Sequence, residues 1–177
     1  MSWSVDPMHT QVEFSAKHMG IMTVKGAFTG VSAAIDFNED DFTASSVEAT
    51  IDARTLRTHD DRRDAHLKSA DFLDVEQFPT ITFKSKRVEK KGDELVLVGE
   101  FTMHGVTKEL SLPARLSGPV KDPWGNNRIG LEIKWKLSRK DYGMTYNKAL
   151  ETGGLVVGDE VQIDVNAEAV KATKPDN

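Results

Sequence analysis

The sequence predicts an all-β domain: a closed antiparallel barrel of about eight strands with a short helical insert. Apolar and polar residues alternate with period two through most of the 177-residue chain, which marks strands with one buried face. Clusters of turn-forming residues separate these runs. One internal segment, residues 59–73, abandons alternation for helix-forming residues.

Val12, Phe14, Ala16 and His18 share one face of the first clear strand, with Gln11, Glu13, Ser15 and Lys17 on the other. Val24, Gly26, Phe28 and Gly30 continue the pattern, and Val31, Ala33, Ile35 and Phe37 carry it in the opposite phase. A one-residue phase change requires a bulge or a sharp bend, and Gly30 is the residue best able to supply it. After the polar loop Asn38–Asp41 come Val47, Ala49 and Ile51. Residues 59–73 (HDDRRDAHLKSADFL) place acidic residues first and a basic residue late, which predicts a helix of two to three turns capped by Thr58 or Asp60. It is expected to cover one end of the barrel.

Ile81 and Phe83 open the next strand, joined through Lys90-Lys91-Gly92-Asp93 to one bearing Leu95, Leu97, Gly99, Phe101 and Met103. Leu110 to Leu116 and Ile129 to Leu137 alternate in turn, separated by the turn-rich Asp122–Asn127. Val161, Ile163, Val165, Ala167 and Ala169 form the last strand. Residues 1–170 thus read as a single domain and 171–177 as a frayed tail.

Sequential long strands with two bare edges invite aggregation, so closure is the expected solution. A barrel of this size is either packed solid or holds one small ligand. The inward residues mix Gly26, Gly99, Ala16, Ala33 and Ala49 with Phe14, Phe28, Phe83, Phe101, Met103 and Trp135. That mixture suits an elongated apolar cavity, and it equally suits a tapered solid core.

Hydrophobic residues make up 38% and charged residues 29% of the chain, so a packed core is expected. The formal charge of -5 repels a phosphate polymer from the average surface, and nucleic acid is not an expected partner. Absence of cysteine excludes disulfides and thiolate chemistry. No apolar run reaches the length of a membrane span. The N-terminus as written shows no basic and apolar leader, which points to the cytoplasm, or to the periplasm if a leader has been removed.

The five histidines, His9, His18, His59, His66 and His104, show no HExxH pattern, and no metal or cofactor is expected. No GxSxG elbow or glycine-rich phosphate loop occurs. Arg62–Lys68 is the most charged run. On a helix, Arg63 and His66 share a face and Leu67 turns toward the barrel mouth. These cations either hold an anionic head group or tie the helix to the rim through ion pairs. His104, beside Gly105 in a tight turn, is a ligand contact or a turn hydrogen bond.

The order Trp3, Asp6-Pro7, His9, then Phe14, Lys17-His18, then Gly26-Ala27-Phe28 resembles the opening of the YceI-like family of polyisoprenoid-binding, lipocalin-like proteins. The likeness continues through Thr58, Arg63-Asp64, His66–Ser69 and Asp71-Phe72, then Phe78-Pro79 and Ile81-Thr82-Phe83 with Ser85. It extends through Phe101–Thr107 and closes with Ser138–Gly143 and Val157–Val161. The resemblance implies a long barrel holding an isoprenoid or similar lipid with no catalytic step. The expected apolar lining is Phe14, Phe28, Phe72, Phe83, Phe101, Met103 and Trp135. Arg63, His66 and Lys68 are expected to supply positive charge at the mouth, with His18 as a secondary candidate.

Three functions compete at this point. The first is non-enzymatic carriage or sequestration of the lipid. The second is a lipid hydrolase or isomerase using His18 or His66 with Asp64, and the third is an interaction module with a filled barrel. A homodimer through exposed Trp124 or Tyr146 is a further expectation.

Overall fold

The computed structural model describes residues 2–172. Ten strands and one α-helix follow in order: β1 (Ser2–His18), β2 (Met22–Phe28), β3 (Val31–Asp36), β4 (Ser46–Asp52), β5 (Leu56–Arg57), α1 (Asp61–Lys68), β6 (Thr80–Lys91), β7 (Glu94–Met103), β8 (Val106–Lys121), β9 (Asn127–Ser138) and β10 (Val157–Lys171). The strands β10-β9-β8-β7-β6-β4-β3-β1 lie side by side, and β1 pairs again with β10. Eight antiparallel strands therefore close a ring with no free edge.

The two remaining strands extend the wall at one end. β1 pairs with β3 through Ser2–Ser4 and with β2 through Val12–His18, so β2 and β3 act as one strand broken at Thr29-Gly30. The phase change seen in the sequence falls at this break. The Gly30 amide donates to Thr55 Oγ1 at 2.9 Å, and a β-carbon on Gly30 would stand 2.9 Å from the Thr55 methyl. β5 likewise continues the line of β4 and pairs with β2 at Ala27 and Phe28.

Turns behave as their residues dictate. His104 and Gly105 have φ of 53° and 71° between the paired Met103 and Val106, a two-residue turn whose twist matches its strands. Gly92, at φ 61°, turns β6 into β7.

β1 starts at Ser2, well before the alternation becomes clear, because Asp6–His9 bulge outward between the pairs Val5↔Ala169 and Thr10↔Ala167. Trp3, inside this early portion, is fully buried and meets Phe37 edge-on at 5.8 Å. β10 runs through Lys171, which pairs with Trp3, and the Ala172 amide bonds the Ser2 carbonyl. The barrel thus reaches into the expected tail, and residues 173–177 lie outside the described residues.

The helix is shorter than its expected span. Asp60 caps it by accepting from the Arg63 amide, and it ends at Lys68, where the Ser69 amide bonds the His66 carbonyl. Residues 69–78 continue as turns that bring Phe72, Leu73 and Val75 into the core. Thr58, the alternative cap, instead sits buried under the helix.

Candidate ligand cavity

Inward side chains leave three apolar cavities strung along the barrel axis. The first lies beneath α1 and measures about 110 Å³; the second occupies the middle at about 90 Å³; the third, toward the far end, measures about 40 Å³. The first two meet at successive inward positions of the same strands. On β1 Phe14 lines the first and Val12 the second; on β7 Met103 and Phe101; on β9 Leu137 and Trp135; on β10 Ile163 and Val165. The middle and far cavities share Ile35, Val47, Leu97, Leu131 and Ala167.

Small residues make the room. Ala33 and Ala49 form a cross-strand pair on the wall of the middle cavity, and Ala16 lies on the wall of the first. Phe14, Phe83, Trp135, Val161, Ile163 and Val165 face inward yet are only partly buried, because no protein atom covers them on the cavity side. The interior is therefore not plugged from end to end.

All seven aromatic and methionine residues expected in the lining are on these walls: Phe14, Phe28, Phe72 and Met103 around the first cavity, Phe83, Phe101 and Trp135 around the second. Phe101 meets Trp135 and Tyr142 edge-on, each at 5.7 Å. The indole N–H of Trp135 is buried without a hydrogen-bond partner among the described residues.

The four polar candidates are placed otherwise. Arg63 donates through Nε to Thr58 Oγ1 at 2.8 Å and through Nη2 to the Thr58 carbonyl. Asp64 accepts from both the amide and the hydroxyl of Thr58, which is only 2% exposed. These bonds tie α1 to β5 and its neighbours, so Arg63 is committed to the wall. His66 bonds Asp71 at 2.9 Å and packs edge-on against Phe72 and Tyr146 at 5.1 and 4.9 Å. Lys68 closes the helix, and His18 stands exposed at the rim opposite Met22. None of the four lines a cavity. Arg63 and His66 are instead engaged by Thr58 and Asp71, bonds that fasten the helix and the turn after it at this end of the barrel.

Segments without alternation also supply wall. Leu67 of α1 lines the first cavity, in keeping with its expected turn toward the mouth, and Leu56, Leu73 and Met144, which sequence reasoning missed, line it from β5 and the loops. Arg139 does so too, although it is 3% exposed. Its Nε bonds the Gly158 carbonyl at 3.0 Å, its Nη1 the Met144 carbonyl at 2.8 Å, and its Nη2 stands 3.5 Å from Asp159. Burial lowers its pKa from the ordinary arginine value, while Asp159 opposes that shift. It clamps the 143–156 loop to β10. The Ser138–Gly143 run was a signal for it, since Gly143 takes the left-handed conformation (φ 77°) that ends this corner.

Tyr146 is half-buried against His66 and Phe72 rather than free on a sheet face, whereas Trp124 is 81% exposed. His104 bonds the Tyr142 carbonyl at 2.7 Å and serves its turn. His9, Asp6 and Glu168 place ligand atoms within 4.8 Å of one another. Arg128 already sits among them, 2.7 Å from Asp6 and 3.3 Å from Glu168, so a guanidinium balances these carboxylates.

A closed eight-stranded barrel around an unfilled apolar interior defines the class of small barrels that can enclose a ligand. Residues 3–169 match the model of the YceI-like domain, and the chain belongs to that family. A protein YceI from Salmonella arizonae is 36% identical over 163 residues, covering 92% of this chain and 82% of its own. Burkholderia cenocepacia BcnA superposes with a TM-score of 0.82 at 22% identity, covering 96% of this chain and 99% of its own. A polyisoprenoid binding domain from Saccharophagus degradans superposes with a TM-score of 0.70 at 16% identity, over 96% and 98% of the two chains. These last two likenesses show the fold.

Proposed function

We propose that this protein binds a long isoprenoid or similar amphiphilic lipid inside the barrel and carries or sequesters it without chemical change. The observation that carries the reading is the line of three apolar cavities from the helix end to the far end of one closed sheet. Ten enclosed carbons already supply roughly 8 kcal/mol before ordering costs. No reactive side chain is needed to hold such a chain.

The walls favour a tail over a head group. Arg139, the one charged residue on them among the described residues, spends its donors on backbone carbonyls and Asp159. A charged head therefore remains outside while the tail threads inward. This chain's likeness in fold to a domain described as polyisoprenoid binding supports the same substance class. A lipid-modifying enzyme finds little support: the nearest acid to His66 is Asp71, which it bonds on the surface, and Asp64 is occupied by Thr58.

Titration with linear isoprenoid alcohols of increasing length tests the reading. Affinity is expected to rise with length and then level off once the cavities are filled. Equal weak binding at every length would contradict an axial site.

A further inference from the structure

Seven large apolar side chains are exposed among the described residues, and four of them stand together at the opening of the first cavity: Met19 (43%), Ile21 (83%), Met22 (61%) and Leu155 (45%). Met22 opens β2, and Met19 and Ile21 lie in the β1–β2 turn. The fourth adjoins it, since the Met19 amide donates to the Val156 carbonyl at 2.8 Å and His18 pairs with both Met22 and Val157. Ala16 and Val157, immediately behind this tip, line the cavity. A soluble surface gains nothing by presenting such side chains at a hairpin tip, so a surface that receives them is indicated.

Charge identifies the kind of surface. The chain carries a formal charge of -5, yet residues 14–35 hold Lys17, His18 and Lys25 and no aspartate or glutamate. Lys17 is exposed beside the tip, with Nζ 2.8 Å from Thr23 Oγ1, and Lys25 is exposed two strand positions further along. In the facing loop Lys148 and Glu151 offset each other. Apolar side chains at the extremity with cations set just behind them match an anionic bilayer, where the tip enters the interface and lysines meet head groups.

We propose that the β1–β2 hairpin tip, with Leu155, docks the barrel mouth onto an anionic lipid bilayer. This builds on the lipid-binding reading, because docking there sets the cavity opening against the membrane from which a lipid is taken or to which it is given.

Flotation with vesicles of phosphatidylglycerol and phosphatidylcholine, against phosphatidylcholine alone, tests it. The purified wild-type protein is expected to float with the anionic vesicles, less so as salt is raised. The double variant Ile21→Glu, Met22→Glu is expected to lose at least about tenfold of the bound fraction. Both positions are exposed, so circular dichroism should remain that of the wild type. Trp124→Glu, at the opposite end, should float as the wild type does. Wild-type protein that stays off the anionic vesicles, a double variant that floats equally, or loss only in Trp124→Glu overturns the proposal. So does a wild-type dimer that the double variant splits without vesicle binding, since a second copy would then occupy the tip. Solvent extraction of the same samples reports cavity contents separately, so docking can fail while lipid binding stands.

Discussion

The ring of Phe14 lies across Gly26 on the neighbouring strand, in the space that a β-carbon on the glycine would occupy. The two residues are a cross-strand pair in which the missing side chain of one lets the other turn flat against the wall. The Thr58 methyl closes the same spot, 2.8 Å from that β-carbon position. This arrangement keeps the Phe14 ring on the wall of the first cavity, 5.4 Å from the ring of Phe28.

Gly26→Ala is therefore expected to push Phe14 off the wall and to cost about 1–3 kcal/mol of stability through overpacking. Denaturant midpoints measure the cost. Retained lipid should fall in the same variant, because the displaced ring takes cavity space.

Ala49 pairs with Ala33 on one side and Phe83 on the other, all three on the wall of the middle cavity. Ala49→Phe should fill part of that space and shift the preferred isoprenoid to shorter chains, with little loss of thermal stability. Unchanged length preference would show that the ligand does not pass the middle of the barrel.

Asp64→Ala removes the acceptor shared by the amide and hydroxyl of buried Thr58, and should cost about 1–3 kcal/mol in unfolding measurements. Arg63→Ala should also lower stability while leaving lipid affinity unchanged, since its guanidinium serves Thr58. A selective loss of affinity for anionic lipids in Arg63→Ala would restore it as a head-group residue.

Arg128 binds Asp6 and Asp122, and these bonds hold both carboxyls low, Asp6 at about 2 against its ordinary 3.8. A folded pKa below the unfolded one stabilises fully above the unfolded value and loses that contribution as pH falls through the folded value. Wild-type stability should thus decline between about pH 4 and pH 2. Arg128→Gln should flatten this decline, which acid titrations of unfolding would detect.

The barrel was legible wherever side chains alternate without interruption. β9 and β10 show it plainly, and Gly30 betrayed the bend through its phase change. The start of β1 was not, because the bulge at Asp6–His9 hides the pairing of Trp3 with β10. Most of the apolar lining followed from alternation too, Phe72 in the non-alternating segment being the exception. Its contributions from Leu56 and Met144 did not, since a two-residue strand and a loop position them through contacts distant in sequence. Charge was the least legible: Arg63 and His66 stand where a helix puts them, but Thr58 and Asp71 decide what they touch, and no spacing rule names those partners.

The most direct measurement is the native mass of freshly purified protein. A long-chain lipid bound one to each chain, released by organic solvent and taken up again by the emptied barrel, is the predicted result. Protein that is consistently bare, and that remains bare after exposure to long-chain isoprenoids, would contradict it.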